Sequence, residues 1–229
     1  MLEQLRGGLI VSIQPEAGSP LDTPATVALL ARCAVANGAV GVRIEGGTRI
    51  AAVRAAVDVP IVGLVKREYP GFAPYITPTV RELDEVAAAG AEIIAFDATV
   101  RPRPSGLDVA AMVAAVAARG RIPMADCSTA DEMVRAAAAG ATIVATSLCG
   151  YTKETHGTPL PALALVPPAR ASGAFVVAEG GLASPDDVRR AFGAGADAVV
   201  VGTAISNVDA RVRAFAQAAS RRHAYPEVP

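Results

Sequence analysis

Lys66 closes the apolar run Pro60-Ile-Val-Gly-Leu-Val-Lys66, a stretch of strand length that stops on an amine. Lysine is the common side chain whose charge burial and like-charged neighbours can remove, and a neutral lysine is a base that can take a proton from carbon. A free lysine near pKa ~10.4 is almost wholly protonated at neutral pH, whereas effective lysine bases sit nearer ~7 to 8. Burial at a strand end pushes Lys66 in that direction, as would the charges of Arg67 and Arg43 at close range. Glu179 ends a second run, Phe175-Val-Val-Ala-Glu179, directly before Gly180-Gly181. A base and a carboxyl group make proton-transfer chemistry possible, and no rival equipment is visible. His156 and His223 lack metal-ligand spacing, and there is neither a Gly-x-Gly-x-x-Gly nor a P-loop, so the expectation is no metal and no nucleotide cofactor.

Positioning such residues requires an array of strand ends. Eight short β-rich runs alternate with helical stretches: Leu9 to Ile13, Val40 to Ile44, Ile61 to Val65, Ile93 to Phe96, Ile122 to Ala125, Ile143 to Thr146, Phe175 to Ala178 and Ala198 to Val201. Each is mostly apolar, as a strand buried on both faces should be. Helix starts are marked at Thr23-Pro24, at the capping boxes Thr79 to Glu82 and Thr129 to Glu132, and at Ser184-Pro-Asp-Asp187. Gly38, Gly90, Gly140 and Gly195 end helices at steps of 52, 50 and 55 residues, about two βα units each. This pattern predicts an α/β fold, a single (β/α)8 barrel over residues 1–229. The competing architecture is a doubly wound open sheet, which needs fewer strands.

Barrel chemistry gathers at the C-terminal ends of the strands. Here those ends carry Gln14, Arg43, Lys66, Asp97, Asp126, Ser147, Glu179 and Gly202. A structural reading stands beside each. Arg43 and Asp126 could form an ion pair closing the barrel top, Gln14 could serve a turn, Asp97 could cap the next helix, Lys66 could reach solvent and Glu179 could pair with a neighbour. Their convergence on one end favours a site, because isolated charges at the ends of buried strands cost several kcal/mol. Gly180 and Gly181 after the seventh run, and Gly202 and Thr203 after the eighth, form the turns where such barrels commonly hold a phosphate on backbone N–H groups.

Composition narrows the rest. Hydrophobic residues make up 52%, yet the longest apolar stretch, Val109 to Ala118, is far shorter than the ~18 residues of a spanning helix, so no membrane partner is expected. With 21 basic and 22 acidic residues the net charge is -1, which gives no attraction for nucleic acid. Cys33, Cys127 and Cys149 are odd in number and widely spaced, and are read as reduced thiols. The N-terminus shows no export signal, and a cytoplasmic location is the expectation. Over Val208 to Arg222, Val212, Phe215 and Ala219 recur at helical spacing, a face expected to pack on the barrel.

Taken together, Ser12-Ile-Gln14, Gly41-Val-Arg43-Ile-Glu45-Gly46, Gly63-Leu-Val-Lys66-Arg67-Glu-Tyr69-Pro70, Tyr75-Ile-Thr-Pro-Thr79, Asp97-Ala-Thr99, Met124-Ala-Asp126-Cys-Ser-Thr129, Gly150-Tyr151-Thr152 and Ala178-Glu179-Gly180-Gly181 resemble the bacterial N-acetylmannosamine-6-phosphate 2-epimerases over about residues 5–205. The resemblance implies a barrel of the phosphate-binding type. It implies a cofactor-free interconversion of N-acetylmannosamine 6-phosphate and N-acetylglucosamine 6-phosphate in sialic acid breakdown, and a phosphosugar as partner. It assigns Lys66 and Glu179 as catalytic, and Gln14, Arg43 and Asp126 as contacts to the sugar and its N-acetyl group. A homodimer fits the same family.

Two departures stand out. Asn207 occupies the place where this family commonly has a phosphate-holding arginine, leaving backbone amides or Arg67, Arg101, Arg103 or Arg211 for that task. The segment Lys153-Glu-Thr-His-Gly-Thr-Pro159 differs from the family's usual loop. Two other readings stay open at this point: a Schiff-base phosphosugar aldolase working through Lys66, and a non-catalytic phosphosugar-binding barrel.

Overall fold

The computed structural model describes residues 1–104 and 106–220; His223 and the last two residues of the stretch read as helical to Arg222 lie outside them. Eight parallel strands close in sequence order: β1 Leu9–Ile13, β2 Gly41–Glu45, β3 Ile61–Leu64, β4 Ile93–Asp97, β5 Ile122–Asp126, β6 Ile143–Ala145, β7 Phe175–Glu179 and β8 Ala198–Val201. Pairing of Leu9 with Val199 and Val11 with Val201 joins the last strand to the first, which excludes the open sheet. A short α1 (Leu2–Leu5) precedes β1, and α2 (Pro24–Ala36), α3 (Gly47–Arg54), α4 (Val80–Ala88), α5 (Val109–Ala117), α6 (Ala130–Ala138), α7 (Val166–Arg170), α8 (Pro185–Gly193) and α9 (Val208–Ser220) each follow a strand.

Strand alternation divides the apolar residues into two cores. Ile10, Leu64, Met124, Phe175 and Val200 fill the barrel, with Leu5 of α1 joining them. Val11, Ile44, Phe96, Val144 and Val199 face outward against helix residues such as Val27, Ile50, Leu83 and Met133. This period of two also decides where the charges go. Asp126 is in register with Ala145 and Glu179 with Val200, both inner-core residues, so the two carboxylates share the inward face one step above the apolar filling.

Strand limits shift from the sequence expectation for a physical reason. β2, β4, β5 and β7 run one residue further, onto Glu45, Asp97, Asp126 and Glu179, because those residues still take part in the ladder, as in the Asp97 to Asp126 register. β3 stops at Leu64, and Lys66 leaves the parallel ladder to bridge Ile76 in antiparallel fashion.

Helix signals are realised. Thr23 accepts from the Thr26 N–H, and reciprocal capping boxes form at Thr79 with Glu82, Thr129 with Glu132 and Ser184 with Asp187, each satisfying N–H groups that otherwise cost about 1 kcal/mol. The four repeat glycines, Gly38, Gly90, Gly140 and Gly195, hold φ of 98°, 96°, 95° and 101°, one conformation used four times to turn a helix toward its next strand. The last helix departs from expectation. Val212 and Phe215 of α9 are 60% and 68% exposed, so this face projects to solvent instead of packing on the barrel. No helix among the described residues is long and apolar enough to cross a membrane.

Gly63 on the outer face of β3 marks the tightest helix-to-strand approach near the site. A Cβ there would lie 2.6 Å from both the Ala91 Cβ and Val86 Cγ1. Gly63→Val is therefore expected to lower stability by about 1–3 kcal/mol through overpacking. A urea midpoint equal to that of the wild type would refute this.

Candidate active site

Four polar side chains from four strand ends interlock at the floor of the barrel mouth. Arg43, in β2, is buried and grips Asp126 in a bidentate pair, Nη1 to Oδ1 at 3.1 Å and Nη2 to Oδ2 at 2.7 Å. The same Nη1 donates to Glu179 Oε2 at 2.8 Å. Ser147, just past β6, lies 2.7 Å from Asp126 Oδ1 and 3.0 Å from Glu179 Oε2. Thr146 fixes the backbone of Glu179 from the adjoining strand, donating to its carbonyl at 2.7 Å and accepting from its N–H at 3.0 Å. Burial is the main influence on the Glu179 carboxyl; together with the charge of Asp126 it outweighs Arg43, the Ser147 hydroxyl when its hydrogen points at Glu179, and Lys66, and pushes the pKa up to about 7. Arg43 is held charged: the attraction of Asp126 and Glu179 overcomes the cost of its burial.

Lys66 is positioned by a loop that folds back over the mouth. After β3 the chain makes a hairpin, with the Arg67 N–H donating to the Tyr75 carbonyl at 2.9 Å and Lys66 bridging Ile76. Thr77 locks the return. It is fully buried with φ of 44°, a left-handed conformation that costs a β-branched residue roughly 1–3 kcal/mol. Offsetting contacts hold it there: its N–H donates to the Val65 carbonyl at 2.7 Å, its hydroxyl donates to the Ala95 carbonyl at 2.6 Å, and that hydroxyl oxygen accepts from the Val65 N–H at 3.3 Å. Among the described residues nothing hydrogen-bonds or ion-pairs with the Lys66 amine, which faces the open cavity; its own N–H reaches Glu45 Oε1 at 3.3 Å. Lys66 is exposed at the rim of the mouth instead of buried at the strand end, yet the protein crowding its amine and then repulsion by Arg43 lower its pKa, against the weaker pull of Glu45, Glu179 and Asp126. Arg67 plays no part in this. Its guanidinium turns outward to Glu82 and Glu85 of α4.

A cavity of about 530 Å³ opens above this floor. Its lining includes Gln14, Arg43, Lys66, Tyr75, Ser147 and Glu179, together with Gly180 and Gly181 after β7 and Gly202, Thr203, Ser206, Asn207 and Arg211 after β8. Asp126 lies behind Arg43 and Ser147, fully buried and outside the lining. Gln14 donates to Ser12 Oγ at 2.8 Å, and its buried Oε1 has no partner among the described residues. Such an acceptor costs roughly 1–3 kcal/mol unless a ligand supplies a donor. Gly181 has φ of 75°, and a Cβ there would fall 2.4 Å from the Leu160 Cβ, so only glycine brings this turn to the cavity. Asn207 Oδ1 caps α9 by accepting from the Ala210 N–H at 2.9 Å. Of the four arginines considered for an anion, Arg67, Arg101 and Arg103 face elsewhere, and Arg211, one helical turn beyond Asn207, borders the cavity without an ion pair among the described residues.

Asp97 does not join the site. It receives Arg101 at 2.6 Å and the Thr99 N–H and hydroxyl, anchoring the loop after β4. Ser12 and Tyr75 stood in the motifs that carry the family resemblance without being assigned to the site, and Ser206 and the role of Ser147 escaped the sequence reading. Tyr75 could be found only by knowing that its loop doubles back, whereas Ser147 already stood at a strand end. Among the described residues no group of three or more His, Cys, Asp or Glu side chains is arranged to hold a metal ion.

Residues 27–221 match the family model described as "Putative N-acetylmannosamine-6-phosphate epimerase". A protein of Synechococcus elongatus named "Putative N-acetylmannosamine-6-phosphate 2-epimerase" is 43% identical over 225 residues, 96% of this chain and 97% of its own length. One of Yersinia pestis with the same name is 46% identical over 206 residues, 90% of this chain and 87% of its own. Among solved structures, the N-acetylmannosamine-6-phosphate 2-epimerase from Clostridium perfringens is 34% identical and superimposes with a TM-score of 0.91, covering 95% of this chain and 96% of that one.

The Glu179 carboxyl has a stability consequence. Its pKa rises from 4.5 to about 7 on folding, so its contribution to stability is complete below pH 4.5 and is lost as pH rises through 7. Glu179→Gln is expected to unfold at higher urea than the wild type near about pH 8.5, with the difference closing by about pH 5. An equal or lower midpoint for the variant at the higher pH would contradict the assignment.

Proposed function

Because this chain belongs to the N-acetylmannosamine-6-phosphate epimerase family, we propose that its barrel mouth interconverts N-acetylmannosamine 6-phosphate and N-acetylglucosamine 6-phosphate by moving a proton at C2, a step of amino sugar and sialic acid catabolism. The C2 proton is acidic only when C1 is a carbonyl, so the pyranose must open first. Neutral Lys66 takes the proton and one returns on the other face, while Glu179 handles the proton at oxygen during ring opening. Arg43 steadies the enediolate through the N–H of Nη2 that Asp126 leaves free, and Asp126 acts by holding Arg43 in place. Gln14 Oε1 accepts a hydrogen bond from the substrate. The observation that carries this reading is the unpaired Lys66 amine, its pKa lowered, facing one cavity with Arg43 and Glu179.

Phosphate belongs with the lining residues after β7 and β8. The turns at Gly180, Gly181, Gly202 and Thr203 offer backbone N–H groups, and Arg211 supplies the cation that Asn207 does not. Asn207 instead caps α9, the helix that carries Arg211. A second copy of this chain covers the exposed α9 face formed by Val208, Val212 and Phe215, making the protein a homodimer.

Turnover is checked with purified protein and N-acetylmannosamine 6-phosphate in D₂O. Wild type is expected to form the C2 epimer with deuterium at C2. Lys66→Ala should lower kcat about 10²- to 10⁴-fold with folding intact, and Arg211→Ala should raise KM about tenfold or more with kcat nearly kept. Near-normal turnover by Lys66→Ala removes it as the base. Trapping of substrate on Lys66 by borohydride would make the protein an aldolase, and binding without turnover a phosphosugar-binding barrel. For the assembly, light scattering should give a dimer mass that Phe215→Glu reduces to a monomer; a monomeric wild type rules the interface out.

A further inference from the structure

Ser147 stands between two carboxylates and has only one hydrogen to give. Asp126 Oδ1 and Glu179 Oε2 share the same two partners, Arg43 Nη1 and Ser147 Oγ. Nη1 has two N–H bonds and spends one on each oxygen. The Ser147 hydroxyl cannot do the same, so with both carboxylates ionised one of them lacks its second donor. The distances decide which. The single Ser147 hydrogen goes to the shorter contact, 2.7 Å to Asp126, the length of a charge-assisted O–H···O⁻ bond, and the 3.0 Å contact to Glu179 is left without it. Asp126 is fully buried and bound by both arms of Arg43, which keeps it the charged partner.

We propose that Ser147 is a positioning residue which commits its hydrogen to Asp126 and turns its oxygen lone pair toward Glu179, so that Glu179 is held as a carboxylic acid donating to Ser147. Each of the four contacts then has one donor and one acceptor: Glu179 donates to Ser147, Ser147 to Asp126, and Arg43 Nη1 to both carboxyl groups. A hydrogen directed the other way would instead hold Glu179 ionised. The remaining charged groups facing Glu179 are Arg43 from β2, Asp126 from β5 and Lys66 after β3, and the phenols of Tyr75 and Tyr151 line the same cavity. Removing the Ser147 oxygen takes away the acceptor of the Glu179 proton without altering any of these charges. The catalytic meaning rests on the epimerase reading: a Glu179 protonated near neutral pH is a donor to a sugar oxygen.

The test separates the two. In full-length protein carrying carboxyl-labelled glutamate, the Glu179 resonance is identified by its absence in Glu179→Gln, and its titration midpoint is compared in wild type, Ser147→Ala, Ser147→Thr and Ser147→Val. The midpoint should fall by about half to one pH unit in the alanine variant. Threonine should restore it, and valine, which has the shape of threonine without the hydroxyl, should not. The threonine and valine pair keeps the comparison available if the alanine variant fails to fold. A midpoint that rises in Ser147→Ala means the hydrogen points at Glu179, and one that stays put means Ser147 only fills space; either result overturns the proposal. The alkaline limb of kcat/KM should move down with the resonance. A resonance that moves while the limb does not upholds the role of Ser147 and removes Glu179 as the acid of turnover.

Discussion

A single buried guanidinium organises the mouth of this barrel. Arg43 projects inward above the apolar filling, where an unpaired charge is too costly to keep, so two carboxylates from other strands must meet it. Asp126 supplies the bidentate partner and Glu179 the lateral one. The barrel makes this convergence possible because closure aims alternate residues of every strand at one axis. The second carboxylate exceeds what Arg43 can neutralise, and that excess of negative charge, added to burial, lifts the Glu179 pKa to about 7. A stable ion pair and a carboxyl group poised for proton transfer thus arise from one arrangement.

Lys66 answers a different constraint. To act as the proposed base, its amine must stay near this cluster without being captured by it, since a salt bridge would hold the proton a base has to lose. The hairpin after β3 achieves that by leaving the parallel ladder at Leu64 and pairing Lys66 with Ile76. Left-handed Thr77 bears the strain, tied to Val65 just past β3 and to Ala95 of β4. Arg43 then repels the protonated amine from below, which is why the arginine and the lysine work as a pair even though no hydrogen bond links them.

Much of the framework was legible because it is written in local rules. Capping boxes at Thr79, Thr129 and Ser184 and the recurring glycines mark helix limits without reference to tertiary structure. Strand alternation was enough to gather Arg43, Glu179 and Lys66 at one end. What stayed hidden depends on contacts distant in sequence. Arg67 follows Lys66 directly, yet it faces α4 because the hairpin turns alternate residues to opposite sides. Asp97 and Asp126 end neighbouring strands in register, and only the arginine that each meets decides which one serves the site. The apolar stripe of α9 has the spacing of a core face and is nonetheless exposed, since spacing reveals that a face is apolar and not what covers it.

On the proposed reading, the two groups of residues lining the cavity obey opposite demands. Around Lys66 the groups act through fixed geometry: Arg43 is clamped by Asp126 and Glu179, and Gln14 presents one buried acceptor. Around Gly180, Gly181 and Gly202 what is offered is a backbone surface, which at Gly181 only glycine brings to the cavity. An anion held mainly by N–H groups needs a cation nearby but not at one fixed atom. A helix offers equivalent places one turn apart, so under the proposed function a cation at position 211 would serve while Asn207 caps α9. The proton-transfer end has no such freedom, because moving a base by one turn would carry it away from the carbon it must reach.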